Sequence, residues 1–429
     1  MENALNSVLL ERVGCDAFLV RDTVNIRWIT GFDGVFDTEQ AHALLVLPDR
    51  LILHTDSRYA GAARAAARAS AQLIEVDEAR ESHAAFARRN LPESFVLGFE
   101  GSIAYNEFVK LAELFPSAES SEQGAPSDAS EAAPDSGRSG SEDCSSELSE
   151  RVPQLLRPES GAGAEAVSDG APCSDVLALG DPAVVPGAAL VSTTDAVRTL
   201  RAVKTLFDLE RMRAAQAITD AAFSHMIGFI RPGMTERQVQ RELDDFMLRN
   251  GAEELAFPSI VATGPNGANP HAQPSDVPLE AGQCVVMDFG AKAAGYCSDM
   301  TRMVFIGEPD ARLREAYAVL RKANEQVEAA LKPGMTGKEA HEMAERILEA
   351  GGFGGKMGHG LGHGVGLEIH ELPNLNTRND KPLEPGNVVT VEPGIYIEGE
   401  FGMRLEDCGV LTEGGFKPFT QSTHEMVVV

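Results

Sequence analysis

The sequence predicts an α+β chain: a small α/β domain at the N-terminus, then a larger domain made of a duplicated helix–helix–strand–strand unit related by a pseudo-twofold axis. Three observations predict it. Residues 1–115 alternate short β-rich runs with helically patterned segments. A low-complexity acidic stretch then interrupts that rhythm. Beyond residue 193 the chain repeats itself: RPGMTERQVQRELDDFMLRNG (231–251) is echoed by KPGMTGKEAHEMAERILEAGG (332–352), and LEAGQCVVMDFG (279–290) by LEPGNVVTVEPG (383–394). Two copies of about a hundred residues are too few and too long for a solenoid.

In the first domain, assigned to residues 1–116, DAFLVRD, HALLVLPD, LILHTD, AQLIEVD and SFVLGFE have strand character. RYAGAARAAARA and NEFVKLAELF have helical composition and spacing. From Pro116 to Leu206 there is no aromatic residue, and residues 117–180 carry 13 acidic against 3 basic side chains. Such a segment buries too little apolar surface to offset its ordering entropy, so 117–185 is expected to be a disordered acidic insertion, with Cys144 and Cys173 as bystanders within it. Residues 186–198 are read as a connection and 199–429 as the second domain.

Each copy of the repeat begins with Pro-Gly-Met-Thr and continues Thr-x-x-Gln or Thr-x-x-Glu, the signature of a capping box at a helix start. Val239, Leu243 and Phe246 give the first helix an apolar stripe; Ala340, Met343, Ile347 and Leu348 do so for the second. A glycine just past each copy suits a left-handed C-cap. Further helices are expected upstream, at about 199–230 and 310–331, and the doubled strand segments lie downstream.

Composition bounds the function. The chain has 429 residues, 43% of them hydrophobic, and a formal net charge of −28. No basic stripe is available to neutralise phosphates, which argues against nucleic acid or an anionic membrane surface as partner. The N-terminus lacks the pattern of a signal peptide, and no run is long enough to span a bilayer. Six scattered cysteines without a CxxC argue against a disulfide framework and for a reducing, cytoplasmic setting.

The chemistry lies where the repeated strands stop. CVVMDFG is followed by AKAAG, a turn, and then YCSDMTRMVF, so a hairpin can set Asp288 beside Asp299. In the second copy VVTVEPG and GMRLEDCGVL place Glu392 and Glu406 in the same relation. Four converging carboxylates repel one another unless a cation sits among them, and an oxygen-rich set suits hard divalent metals. Between the hairpins runs KMGHGLGHGVGLEIHELP (356–373), with His359, His363 and His370; nine of residues 351–366 are glycine. An HxxxH helix is improbable at about 1 kcal/mol per glycine, so an extended segment with its backbone close to the site is expected.

The set Asp288, Asp299, His363, Glu392 and Glu406 resembles the metal site of the pita-bread metallopeptidases: methionine aminopeptidase, aminopeptidase P and prolidase. The resemblance covers residues 193–429, and NIRWITGF (25–32) and HTDSRY (54–59) resemble the creatinase/prolidase N-terminal domain, which methionine aminopeptidases lack. By resemblance, Asp299 and Glu406 bridge two divalent ions, most often Mn²⁺ but also Co²⁺, Zn²⁺ or Fe²⁺. Asp288 completes one ion's ligands, and His363 with Glu392 the other's. Glu392 is also the implied proton carrier. His271 lies beside the scissile peptide, His370 steadies the substrate carbonyl, and His359 sits near the pocket. Arg404 orients the carboxylates. The implied activity is hydrolysis of the Xaa-Pro bond at peptide N-termini by a homodimer, with aminopeptidase P as the leading reading and Xaa-Pro dipeptidase as the alternative. A metal-free amidinohydrolase and a non-catalytic binding protein share the fold, and the intact ligand set argues against both. Cys297 and Cys408, each two residues from a bridging position, are expected to be small buried hydrophobes; the sharper expectation is that soft metals or oxidants inhibit through them.

Overall fold

The computed structural model describes residues 4–37, 39, 41–115 and 189–429. The expected disordered insertion at 117–185, with Cys144 and Cys173, lies outside these residues. The N-terminal domain is a six-stranded sheet in the spatial order Ile74–Asp77, Leu51–His54, Ala43–Val46, Ala17–Val20, Val96–Glu100, Ala189–Thr193. In that order the second and third pairings are antiparallel and the other three are parallel. Strand residues alternate between two cores: Phe18, Val20, Leu44 and Leu53 face one, and Ala17, Leu19, Leu45 and Ile52 face the other. Helices Ala4–Val13, Thr23–Thr30 and Ser57–Ala69 cover the first face, and His83–Arg89 with Tyr105–Leu114 cover the second. A sheet covered on both sides is apolar at every position, which is why these strands read as unbroken apolar runs.

All five strands and both helices expected before residue 116 are present. Three further helices are not apparent in the pattern. One, Thr23–Thr30, overlaps NIRWITGF: the Asp22 side chain caps it by accepting the amide of Asn25 at 2.8 Å, and Gly31 closes it at φ 68°. One assignment is corrected. Residues 189–193, read as part of a connection, form the sixth strand of the N-terminal sheet, parallel to Val96–Glu100. ALVST is short and only half-buried on this edge, so it lacks the apolar density that marks the other strands.

In the second domain the expected helix at 199–230 is divided into Ala196–Arg201 and Leu206–Phe229. The break falls where Thr205 makes a capping box with Asp208 and Lys204 donates its amide to the carbonyl of Gly386. Helices Glu236–Arg249 and Gly337–Ala350 start at the capping boxes of Thr235 with Gln238 and Thr336 with Glu339. Gly251 and Gly352, just past their ends, take positive φ. The repeat extends into the hydrogen bonds. Gly233 and Leu279 are joined as Gly334 and Leu383 are, and the Gly282–Ile306 bond recurs as Gly386–Leu411.

Each helix pair packs on its own sheet. The first covers the sheet ordered Val427–Val428, Met300–Phe305, Cys284–Phe289, Ile260–Thr263, with Phe223, Met226, Val239 and Leu243 against Val285, Met287 and Val304. The second covers the five-stranded sheet Glu371–Leu375, Gly362–Gly364, Val388–Val391, Asp407–Thr412, Gly415–Pro418, with Val327, Ala340 and Ala344 against Val389, Val391 and Leu411. A hairpin, Gly394–Ile397 with Phe401–Arg404, lies against the first sheet and helix 311–330. The strand-to-loop ends of both sheets meet between the two halves, where the carboxylates are.

Candidate metal centre

Asp288 lies opposite Thr301 in the hairpin register, and Asp299 precedes the strand that carries Thr301. On the other side Val391 pairs with Asp407, so Glu392 and Glu406 flank that pairing. The two halves join through the backbone, the amide of Glu406 donating to the carbonyl of Thr301 at 3.2 Å. His363 enters from the glycine-rich run. Its amide donates to Thr390 Oγ1 at 3.0 Å, and its Nε2 stands 3.6 Å from Asp299 Oδ2 and 3.4 Å from Glu392 Oε1. Ligand atoms of Asp299, His363 and Glu406 all lie within 4.8 Å of one another.

The glycines make this approach possible. A Cβ on Gly362 would sit 2.1 Å from the carbonyl oxygen of Thr390, and one on Gly364 2.3 Å from that of Leu372. The run is extended over Gly362–Gly364 and again from Glu371, with bends and irregular chain elsewhere and no helix, as expected.

Arg404 is the cation of this cluster. Its Nη2 pairs with Asp288 Oδ2, its Nε donates to Thr301 Oγ1 at 3.0 Å and lies 3.9 Å from Glu392, and its Nη1 donates to the Tyr396 hydroxyl oxygen at 2.7 Å. Thr301 in turn donates to Glu406 Oε2 at 2.7 Å. Tyr396 also meets His359 Nε2 at 3.2 Å. Thr301, Thr390 and Tyr396 were not among the residues singled out from sequence. For the threonines a signal existed: Thr301 and Thr390 stand two residues from Asp299 and Glu392, a spacing that shares a face in a strand. Tyr396 depends on the fold of a hairpin and left no such trace.

One arginine does not balance this set. Burial raises Asp299 well above the ordinary carboxylate range, and Glu406, Asp288 and Glu392 add to the rise; Glu406 is raised for the same reasons. Burial also pushes Glu392 up to about 8 against the pull of Arg404. Asp288 Oδ1 is buried without a hydrogen-bond partner. His363, held low at about 3 by burial and by His370, is neutral, and Nδ1 donates to the carbonyl of Gly364. Its Nε2 stands with its lone pair toward the carboxyl oxygens of Asp299 and Glu392 across 3.4–3.6 Å. Four carboxyl groups and an imidazole nitrogen that converge on one place, with a single arginine among them, are what divalent cations would satisfy, so this donor set fits such ions.

The remaining candidates line the approach. His370 is exposed, and its ring meets that of His363 edge-on at 4.3 Å between centroids. His359 is partly buried, and burial, with Arg404 nearby, holds it down at about 4. His271 is exposed, on a loop that Glu236 anchors by accepting from Thr263, Asn266 and Ser275; the adjacent Pro270 carbonyl reaches Arg404 at 3.5 Å. The structure thus brings Asp288, Asp299, His363, Glu392, Glu406 and Arg404 into one cluster, with His370 against it, while His271 makes no polar side-chain contact with the cluster. Cys297 and Cys408 are buried among Val365, Leu367, Val388 and Val410, and burial pushes the Cys297 thiol up to about 12. Among the described residues no helix is long and apolar enough to cross a membrane.

Comparison with known proteins gives the arrangement a context. Residues 210–413 match the model of metallopeptidase family M24, and residues 7–131 match the creatinase/prolidase N-terminal domain. The uncharacterized peptidase YqhT of Bacillus subtilis is 43% identical over 247 residues, 58% of this chain and 70% of that one. An Xaa-Pro dipeptidase of Lactobacillus delbrueckii subsp. lactis is 42% identical over 55% of this chain; the match spans 64% of that protein, a little under two thirds. Among solved structures, an Xaa-Pro dipeptidase from Bacillus anthracis superposes with a TM-score of 0.76 at 29% identity, covering 99% of both chains. An X-Pro aminopeptidase from Thermotoga maritima does so at 0.72 and 28%, covering 98% of this chain and 99% of that one.

Proposed function

This chain belongs to metallopeptidase family M24, and from that we propose that it hydrolyses the Xaa-Pro bond, with Xaa-Pro dipeptides as its main substrates. The observation that carries the metallopeptidase reading is the convergence of Asp288, Asp299, Glu392 and Glu406 beside His363, more carboxyl groups than Arg404 alone balances. The dipeptide preference rests on the relatives: the named curated relative and the first of the two structures are both Xaa-Pro dipeptidases. This reverses the order expected from sequence, where aminopeptidase P led. The motifs are common to both activities and carried no information on peptide length.

In this reading Asp299 and Glu406 would be shared between two divalent cations, with Asp288 helping to hold one and His363 with Glu392 the other. When bound, the cations supply Lewis-acid polarisation of the scissile carbonyl and acidify the attacking water. The chain's own residues do the rest. Glu392 accepts a proton from that water and delivers it to the proline nitrogen of the leaving group. Arg404, fixed by Tyr396 and Thr301, holds the Asp288 carboxylate in one orientation. His370, at the exposed rim, donates to the substrate carbonyl oxygen as charge develops. His271 and His359 flank the peptide on the approach side. Manganese is the proposed native metal.

The test compares hydrolysis of Xaa-Pro and Xaa-Pro-Yaa in Mn²⁺, with and without chelator. A kcat/KM at least about tenfold higher for the dipeptide, abolished by chelation, is the expected result; about tenfold corresponds to 1.4 kcal/mol of transition-state discrimination. Preference for the tripeptide would return the assignment to an aminopeptidase. Failure on both substrates with metal loaded would refute the enzyme.

A further inference from the structure

The glycine-rich run doubles back between Gly364 and Glu371, and a buried carboxylate closes the turn. Glu371 Oε1 accepts the amide of Glu368 at 3.0 Å, and its carboxylate fills the space where a Cβ on Gly366 would stand, 2.6 Å from Oε2. Glu371 is itself gripped. Arg201 Nη2 pairs with Oε1, and Lys204 Nζ donates to Oε2 at 3.0 Å. Arg201 Nη2 also reaches Glu368 Oε2 at 2.9 Å, and Nη1 donates to Asn25 Oδ1 at 2.7 Å. Asn25 donates on to Glu100 Oε1 at 2.6 Å, and Glu100 Oε2 accepts the amides of Arg21 and Asp22 at 2.6 and 2.8 Å. Arg201, Glu371, Asn25 and Glu100 are 2%, 4%, 5% and 5% exposed.

This line of polar groups starts at the end of a strand in the N-terminal sheet and finishes one residue from His370, whose ring leans on that of His363. Neither Arg201 nor Glu371 touches the carboxylate cluster. A buried charged network of this kind is costly to assemble; its charges are paired, while Arg201 Nε is buried without a hydrogen-bond partner.

We propose that Arg201 is a positioning residue: by gripping Glu371 it fixes the turn that holds His370 against His363, and by binding Asn25 it ties that turn to the N-terminal domain. This rests on the metal-centre reading above for its consequence in function, and on hydrogen bonds alone for its geometry. The two parts are tested separately, in the full chain, with Arg201→Met, Arg201→Lys and Asn25→Ala. In metal-free protein, hydrogen–deuterium exchange across 362–372 rises about tenfold in Arg201→Met while 284–305 is unchanged. Arg201→Lys keeps the charge without the two-pronged grip and recovers part of the protection, and Asn25→Ala gives a smaller rise. Calorimetric titration with Mn²⁺, well below each unfolding midpoint, gives about tenfold weaker binding for Arg201→Met.

Unchanged exchange at 362–372, or a rise shared equally by 284–305, overturns the proposal, because a merely structural ion pair loosens the whole fold. Unchanged Mn²⁺ affinity beside raised local exchange overturns its link to the metal. A wild-type chain that takes up no Mn²⁺ while the exchange pattern holds refutes the metal-centre reading and leaves the positional claim standing. Should Arg201→Met fail to fold, Arg201→Lys and Asn25→Ala carry the same comparison.

Discussion

Thr301 is a small residue with a large share of the site: its hydroxyl accepts from Arg404 Nε and donates to Glu406 Oε2, with none of its surface exposed. Thr301→Val keeps the shape and deletes both bonds. It is expected to weaken divalent-metal affinity about 10- to 100-fold, measured by calorimetry with Mn²⁺. Affinity within about twofold of wild type would show that Arg404 and Glu406 hold their places unaided. Glu392→Gln keeps an oxygen near His363 but cannot carry a proton, so kcat is expected to fall about 10²- to 10⁴-fold. Near-normal turnover in that variant would remove Glu392 from its assigned role. At this scale the sequence was most informative for acids and histidines, because the repeat marked where strands end. It was least informative for Tyr396, whose partners depend on how a hairpin folds back, and for Arg201 with Glu371, which meet across 170 residues of chain. A hydrogen bond between distant residues leaves no spacing to read.

At the scale of elements, the two capping boxes invite a matched experiment. Thr235→Ala and Thr336→Ala each remove the side-chain acceptor of a first-turn amide and are expected to cost about 1 kcal/mol, read from denaturant unfolding. The double variant is expected to cost their sum, since the caps start helices on different sheets. A much smaller cost at one cap would mean that water replaces the threonine there. Helix starts, doubled strands and the extended glycine run were all legible, because capping chemistry, unbroken apolar runs and glycine density are local. The helix break at 202–205 was not legible, since it depends on Gly386 accepting from Lys204. Nor was the strand Ala189–Thr193, whose only mark is a partner about ninety residues earlier.

Across the whole molecule, the Glu371 network joins the two domains, and its charge state sets how firmly. Burial alone would raise the Glu371 carboxyl, but Lys204 and Arg201 outweigh it and hold it below its ordinary value. A carboxylate lowered in the native state contributes stability that is complete above its unfolded pKa of about 4.3 and is lost as pH falls through the native value. The stability difference between wild type and Glu371→Gln is therefore expected to be largest near neutral pH and to shrink in acid below that range, followed by thermal unfolding at a series of pH values. A difference constant down to strong acid would show that the ion pair is not what Glu371 contributes. Two domains and their order were legible from composition and rhythm; the place where they lock together was not.

The sixth strand of the N-terminal sheet has a consequence for the history of each molecule. Because Ala189–Thr193 lies beside Val96–Glu100, the first domain stays one strand short until the ribosome has translated the acidic segment and the turn into the second domain. A protease that cuts between residues 116 and 188 would likewise produce two fragments that share one sheet, each holding a strand the other needs. Such a nicked molecule would migrate as two bands once denatured and as a single species before that.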